Sequence, residues 1–335
     1  MTDPAVPASG LDGWRAPRWL PGGNAQTIWP ALLSRRPPPV QWRRERWDTP
    51  DGDFVDVDFV DTTDAAAPLL VLLHGLEGSS GSHYALAFAH WARRAAWRYA
   101  VPHWRGCSGE LNRLPRAYHS GDHQEVAWLL QRLHATAIGP LHVVGVSLGG
   151  NALLRWAGEA GERAAAWVHA LASVSAPLDL AAGGRAIDAG FNRLVYAHMF
   201  LRTMKAKALA KLAQYPRLFD RERLLAARTL YEFDNVFTAP LHGFRDTDDY
   251  WARASAKPHL AGIRVPTLAL NACNDPFVPH ASLPRRGSES VTLWQPAHGG
   301  HVGFPGGAFP GHLMTLPDAV MGWLRAAGPW RPATG

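Results

Sequence analysis

Two periodicities take turns along the chain. Pro68-Leu69-Leu70-Val71-Leu72-Leu73 is a continuous apolar run, the pattern of a strand buried on both faces. Residues 84–95 predict a helix and Arg98–Pro102 a short strand, while Val126, Leu129, Leu130 and Leu133 recur at helical three-and-four spacing. Leu141–Val146 is again strand-like, 148–156 helix-like, and 167–174 predicts a further strand. This alternation requires a mostly parallel sheet joined by right-handed crossovers. Upstream, Thr49-Pro50-Asp51-Gly52 is a turn signal between 41–47 and Phe54–Val60. Phe54, Val55, Asp56, Val57, Asp58 and Phe59 alternate, which predicts a hairpin strand with one face in water.

The alternation then stops. From 177 to 262 the pattern predicts helices and loops but no strand. Phe191, Leu194, Val195, His198, Met199 and Arg202 fall on one helical face, mostly apolar, followed by Lys205, Lys207 and Lys211. Thr247, with Asp248 and Asp249 behind it, reads as a capped helix start. Strands resume at 267–271 and 291–295, and a helix over 319–326 closes the pattern. The expected division is an N-terminal extension over 1–40 packed on the body, a core of about eight strands over 41–176 and 263–330, and a helical insertion over 177–262.

Composition narrows the class without naming it. The 335 residues are 47% hydrophobic and 19% charged, ordinary for a soluble globular chain. Met1 to Gly10 has no secretory pattern, and no run approaches the roughly 20 apolar residues of a membrane span, so the expected location is cytoplasmic. The net charge of +6 and pI near 9.6 raise nucleic-acid binding, but the arginines are scattered rather than clustered, so no nucleic-acid partner is expected. Cys107 and Cys273 follow strands that are not neighbours and lack metal-ligand spacing, which predicts two inert thiols and no disulfide.

The chemistry enters at Gly145-Val146-Ser147-Leu148-Gly149-Gly150, which lies between a strand-like and a helix-like segment. Gly-x-Ser-x-Gly at such a turn is the nucleophile elbow of an α/β-hydrolase, so that fold is expected, and an insertion at 177–262 is where such folds place a cap. Serine needs a base and an orienting acid, in the chain order Ser, acid, His. Asp275 follows the strand 267–271 in Asn274-Asp275-Pro276-Phe277, and Asn274 cannot ionise, leaving Asp275 as the local acid. His298-Gly299-Gly300-His301 follows the last strand, and residue pattern alone leaves His298 and His301 open as the base. A zinc site built on both lacks a third ligand at a characteristic spacing. The expected oxyanion donors are the backbone N–H groups of Leu148, just after the serine, and Leu76, in His74-Gly75-Leu76-Glu77-Gly78.

With these segments assembled, the chain resembles the YheT-like hydrolases, which are related to plant embryogenesis-associated proteins and eukaryotic abhydrolase-domain lipases. The resemblance rests on His74-Gly75-Leu76-Glu77-Gly78-Ser79, Arg105-Gly106-Cys107-Ser108-Gly109, Tyr118-His119-Ser120-Gly121, Ser147-Leu148-Gly149-Gly150-Asn151, Asp275-Pro276-Phe277 and Gly299-Gly300-His301-Val302-Gly303-Phe304. Gly23-Asn24-Ala25-Gln26-Thr27 is similar to the family's N-terminal signature. It implies Ser147, Asp275 and His301 as the triad, carboxylic esters as substrates, and no metal or organic cofactor. Asn24 departs from a frequent histidine, and Asn274 replaces the first acid of an Asp-Asp-Pro-Phe run. The resulting expectation is an esterase working through an acyl-enzyme on a small ester. The alternatives are a lipase or phospholipase acting on membrane or acylglycerol lipid, the basic amphipathic stretch touching the bilayer, and a non-catalytic binding protein on the same fold. No obligate protein partner is implied.

Overall fold

A computed structural model of the chain describes residues 14–327. Its centre is an eight-stranded sheet: β1 (Arg43–Asp48), β2 (Phe54–Val60), β3 (Leu69–Leu73), β4 (Arg98–Pro102), β5 (Leu141–Val146), β6 (Ala170–Val174), β7 (Thr267–Leu270) and β8 (Val291–Trp294). The spatial order is β1-β2-β4-β3-β5-β6-β7-β8. β1 and β2 join antiparallel at one edge, and every pair from β4 onward is parallel. Successive residues of a strand point to opposite faces, so the unbroken apolar run of β3 feeds two cores. Leu69, Val71 and Leu73 pack with α3 (His123–Thr136) and α4 (Leu148–Ala160). Leu70 and Leu72 pack with α2 (His83–Arg94) and with α12 (Thr315–Ala326) on the other face.

Two expectations need correction. Phe54–Val60 has no wet face: every residue of β2 is buried, Asp56 and Asp58 included. The antiparallel register sets Arg44 opposite Asp58 and Arg46 opposite Asp56. Each arginine grips its carboxylate through two nitrogens, at 2.6 and 2.9 Å for Asp58 and 2.8 and 2.9 Å for Asp56. Ser80 Oγ and His103 Nε2 complete the shell of Asp58, at 2.6 and 2.9 Å. Burial pushes the Asp58 pKa up, but these partners outweigh it and hold the carboxyl well below its usual range. The second correction is smaller. The helix at 247 is capped by Asp246, whose carboxylate accepts from the Asp249 N–H, while Thr247 is its first residue and bonds the Tyr231 carbonyl.

Between β6 and β7, the described chain is helices and connections without a strand. These are α5 (Leu180–Ile187), α6 (Gly190–Asn192), a π-helical turn Arg193–Ala197, α7 (His198–Gln214), α8 (Arg221–Ala226), α9 (Leu230–Val236), α10 (Thr238–Leu241), α11 (Thr247–Ala254) and a 3-10 turn Lys257–Gly262. Leu201, Ala208, Leu224, Phe233 and Phe237 give this insertion a small apolar core of its own. At the N-terminal side, α1 (Gly22–Leu32) is a helix that the hydrophobic pattern does not announce. Residues 1–13 of the expected extension, and 328–330 of the expected core, lie outside the described residues.

Near the β1–β2 edge, Arg105 is almost fully buried and binds three carboxylates: Glu125 at 2.7 Å, Asp51 at 2.8 Å and Asp53 at 3.1 Å. Asp53 also accepts from Asn112 and the Arg113 N–H. Burial and the neighbouring Asp122 push the Glu125 carboxyl above its usual range, against the pull of Arg105.

Candidate active site

Ser147 stands at the sharp turn from β5 into α4, with φ 54° and ψ −118°. That backbone is costly for a residue with a Cβ, by about 1–3 kcal/mol, and it persists because the surroundings impose it. Its N–H is held by the Val174 carbonyl at 2.8 Å. The flanking glycines are required by close approach. A Cβ on Gly145 would lie 2.6 Å from the Gly149 carbonyl oxygen, and one on Gly149 would lie 2.3 Å from that of Leu73. Thus the Gly-x-Ser-x-Gly spacing follows from a strand and helix packed too tightly for side chains.

The structure brings Ser147, Asp275 and His301 together from three separate loops. His301 Nε2 lies 3.0 Å from Ser147 Oγ, and His301 Nδ1 lies 2.9 Å from Asp275 Oδ2. The other Asp275 oxygen accepts the Phe277 N–H at 2.8 Å, and the carboxylate is fully buried. The Phe277 ring lies against the imidazole, with centroids 4.3 Å apart. His298, the other histidine left open by residue pattern, is exposed and approaches Asn274 rather than the serine. Among the described residues, no group of three His, Cys, Asp or Glu side chains is placed to hold a metal ion.

Four hydrogen bonds fix the histidine loop, and sequence reasoning missed most of their acceptors. Gly299 N–H donates to Gln26 Oε1, Gly300 N–H to Asn274 Oδ1, His301 N–H to Thr27 Oγ1 and Val302 N–H to Ser175 Oγ, all at 2.8–3.0 Å. Asn274 also donates to Gln26 Oε1 at 2.9 Å. The residue replacing an acid therefore braces the loop that carries His301. Asn24, the other departure, accepts from the Tyr196 hydroxyl at 2.9 Å and links α1 to the insertion. The contact is tight: a Cβ on Gly303 would come within 2.1 Å of the Gln26 carbonyl oxygen. The Gly23–Thr27 signature was the signal for this brace, but its partner cannot be read from it.

Leu76 and Leu148 line the same cavity as Ser147. Leu148 is the first residue of α4, so its N–H has no partner within the helix. The loop bearing Leu76 is set by His74, which burial pushes down to about 3 and so keeps neutral. Its Nε2 accepts the Trp104 N–H at 3.2 Å, which leaves Nδ1 to carry the proton to the Gly75 carbonyl at 2.8 Å. Tyr84 Oη receives the Gly75 N–H at 2.9 Å. Asn151 ties the elbow helix to the insertion, donating to the carbonyls of Ser120 and Ala254 and accepting from the Ala256 N–H.

The cavity, counted together with the open solvent at its mouth, spans about 1090 Å³. Leu180, Ile187, Phe200, Met204 and Phe233 of the insertion form much of its apolar wall. Asp234 also lines it, and burial pushes that carboxyl up to about 7. The lysines expected on a lipid-facing helix turn inward instead. Lys207 Nζ binds Glu77 at 2.9 Å, Lys211 Nζ binds the carbonyls of Asn112 and Leu114, and Lys205 Nζ that of Leu225. Phe191, Leu194, Val195 and Met199 are exposed, and so are Arg193, His198 and Arg202 beside them, so that face is apolar with exposed basic groups on it. Cys107 is buried and Cys273 partly so, and both are free.

The sequence matches the family of the alpha/beta hydrolase fold over residues 68–308. The esterase-named protein YheT of Escherichia coli (strain K12) is 39% identical over 308 residues, spanning 90% of this chain and 89% of that one. This chain is a YheT-like α/β-hydrolase. Phospholipase ABHD3 of Mus musculus is 29% identical over 303 residues, spanning 87% of this YheT-like chain and 73% of the relative. Among solved structures, the Pyrococcus furiosus esterase Pf2001 superposes with a TM-score of 0.54 at 13% identity, over 89% of this chain and all of that one, a likeness of fold. Relatives of esterase and lipase or phospholipase type thus accompany the hydrolase fold. No helix among the described residues is long and apolar enough to cross a membrane.

Proposed function

We propose that this chain is a serine esterase that cleaves carboxylic esters through an acyl-enzyme, with Ser147, His301 and Asp275 as its triad. The observation that carries the reading is the unbroken chain of hydrogen bonds from Asp275 through His301 to Ser147, at the wall of an apolar cavity. Ser147 Oγ attacks the ester carbonyl as His301 Nε2 takes its proton. Asp275 holds Nδ1–H and stabilises the imidazolium, and the N–H groups of Leu76 and Leu148 receive the oxyanion. His301 then protonates the departing alcohol, and water repeats the sequence to free the acid. No cofactor is needed for this chemistry. The helices over 177–262 act as a cap whose apolar side chains receive the acyl chain.

Hydrolysis of p-nitrophenyl esters from acetyl to palmitoyl tests this. Each buried methylene contributes about 0.8 kcal/mol, so kcat/KM is expected to climb beyond acetyl until the cavity is filled. A strict preference for acetyl would contradict an acyl-binding cap.

A second reading takes the ester from a lipid surface. Its support is the exposed apolar face of Phe191, Leu194, Val195 and Met199, next to the catalytic wall. Tyr196, from the same turn, packs on Phe277 with ring centroids 4.6 Å apart, and Phe277 packs on His301. With the lysines engaged elsewhere, adsorption by this face would rest mainly on its apolar side chains, Arg193 and Arg202 being the exposed cations beside them. Co-sedimentation with phosphatidylcholine vesicles at high salt is expected under this reading, and its loss in Leu194→Asp/Met199→Asp. Binding seen only with anionic vesicles at low salt would contradict it.

A further inference from the structure

Resting on the esterase reading above, we propose that Lys207 is a positioning residue that couples the helical insertion to the oxyanion loop through Glu77. Glu77 directly follows Leu76 and takes a left-handed backbone, φ 56°. Two bonds close a ring around it: its N–H donates to Tyr118 Oη at 2.9 Å, and that hydroxyl donates to Glu77 Oε1 at 2.8 Å. The same Oε1 accepts from Lys207 Nζ at 2.9 Å, and Lys207 Nζ also lies 3.3 Å from Cys107 Sγ. Lys207 belongs to α7 of the insertion, 130 residues away in sequence. The Glu77 side chain is 9% exposed and that of Lys207 34%, and both line the cavity with Ser147.

Two consequences follow from placing a carboxylate one residue from an oxyanion donor. The Tyr118 clasp and the Lys207 bond together hold the strained turn that presents the Leu76 N–H. Moreover, a bare carboxylate there opposes the negative charge that develops on the substrate, whereas a lysine on the same oxygen cancels it. Lys207 supplies that cancellation only when α7 is seated, so the loop is both shaped and neutralised by the insertion. A role confined to the transition state lowers kcat and leaves KM nearly unchanged.

The test measures kcat and KM for a p-nitrophenyl ester, per serine titrated with a fluorophosphonate, so that misfolded molecules are not counted. Lys207→Met is expected to lower kcat about 10- to 100-fold, less than the roughly 10²–10³ of deleting an oxyanion donor, with little change in KM. Lys207→Arg should retain most of the rate, because it restores the charged bond. Adding Glu77→Gln to Lys207→Met should recover part of the loss, since the amide keeps an acceptor for Tyr118 and removes the bare charge. Unchanged kcat in Lys207→Met, an effect on KM alone, or a double variant no better than Lys207→Met would overturn the proposal. A wild-type chain with no titratable serine would instead overturn the esterase reading, and this proposal with it.

Discussion

Ser147→Ala is expected to lower kcat for ester hydrolysis by about 10⁵–10⁶-fold, the scale of removing the nucleophile from a serine triad. The alanine cannot form the acyl-enzyme, and what remains is the small contribution of substrate binding and oxyanion donors to direct attack by water. The fold should survive, because among the described residues the hydroxyl bonds His301 alone, while the turn is set by the backbone and its glycines. Initial rates on a butyryl or longer ester, compared at equal folded concentration, decide the matter. Residual activity above a few per cent of wild type would mean that another group carries the reaction.

Arg105→Met should have the largest effect on stability, a loss of about 3 kcal/mol, at the low end of the 3–5 kcal/mol typical when one partner of a buried ion pair is removed. Arg105 is the cation shared by Asp51, Asp53 and Glu125, and the last two are buried beside it. The low end applies because the bereft acids have other recourse. Asp53 keeps its bonds from Asn112 and the Arg113 and Phe54 N–H groups. Glu125, already pushed above the usual carboxyl range by burial and Asp122, takes a proton more readily than an ordinary carboxylate. Urea denaturation at neutral pH measures the difference. A loss below 1 kcal/mol would show that the cluster is held by its neutral donors and not by the guanidinium.

The convergence of Ser147, Asp275 and His301, the proposed triad, was legible because each sits in a motif whose glycines or strand end announce it. Gly145 and Gly149 mark a crossing too close for side chains, and Asp275 lies in the loop that follows the end of β7. The choice between His298 and His301 needed the family resemblance, because Gly299 and Gly300 leave either ring able to reach the serine. What stayed hidden was pairing between distant segments. Gly22–Leu32 opens with two glycines and contains Pro30, a poor helix by propensity. It forms where Gln26 and Thr27 find the N–H groups of the histidine loop some 270 residues away. Asp56 and Asp58 imply a wet strand face until the register supplies Arg44 and Arg46. Likewise, Lys207 and Lys211 read as a basic surface because nothing within α7 reveals Glu77, or the carbonyls of Asn112 and Leu114, opposite them.

The most direct test of the account is mass spectrometry of the purified chain after reaction with a fluorophosphonate. One adduct per chain on the peptide containing Ser147, absent when His301 is replaced by alanine, is the predicted result. No adduct on the folded protein, or an adduct on a different residue, would contradict a Ser147-centred mechanism.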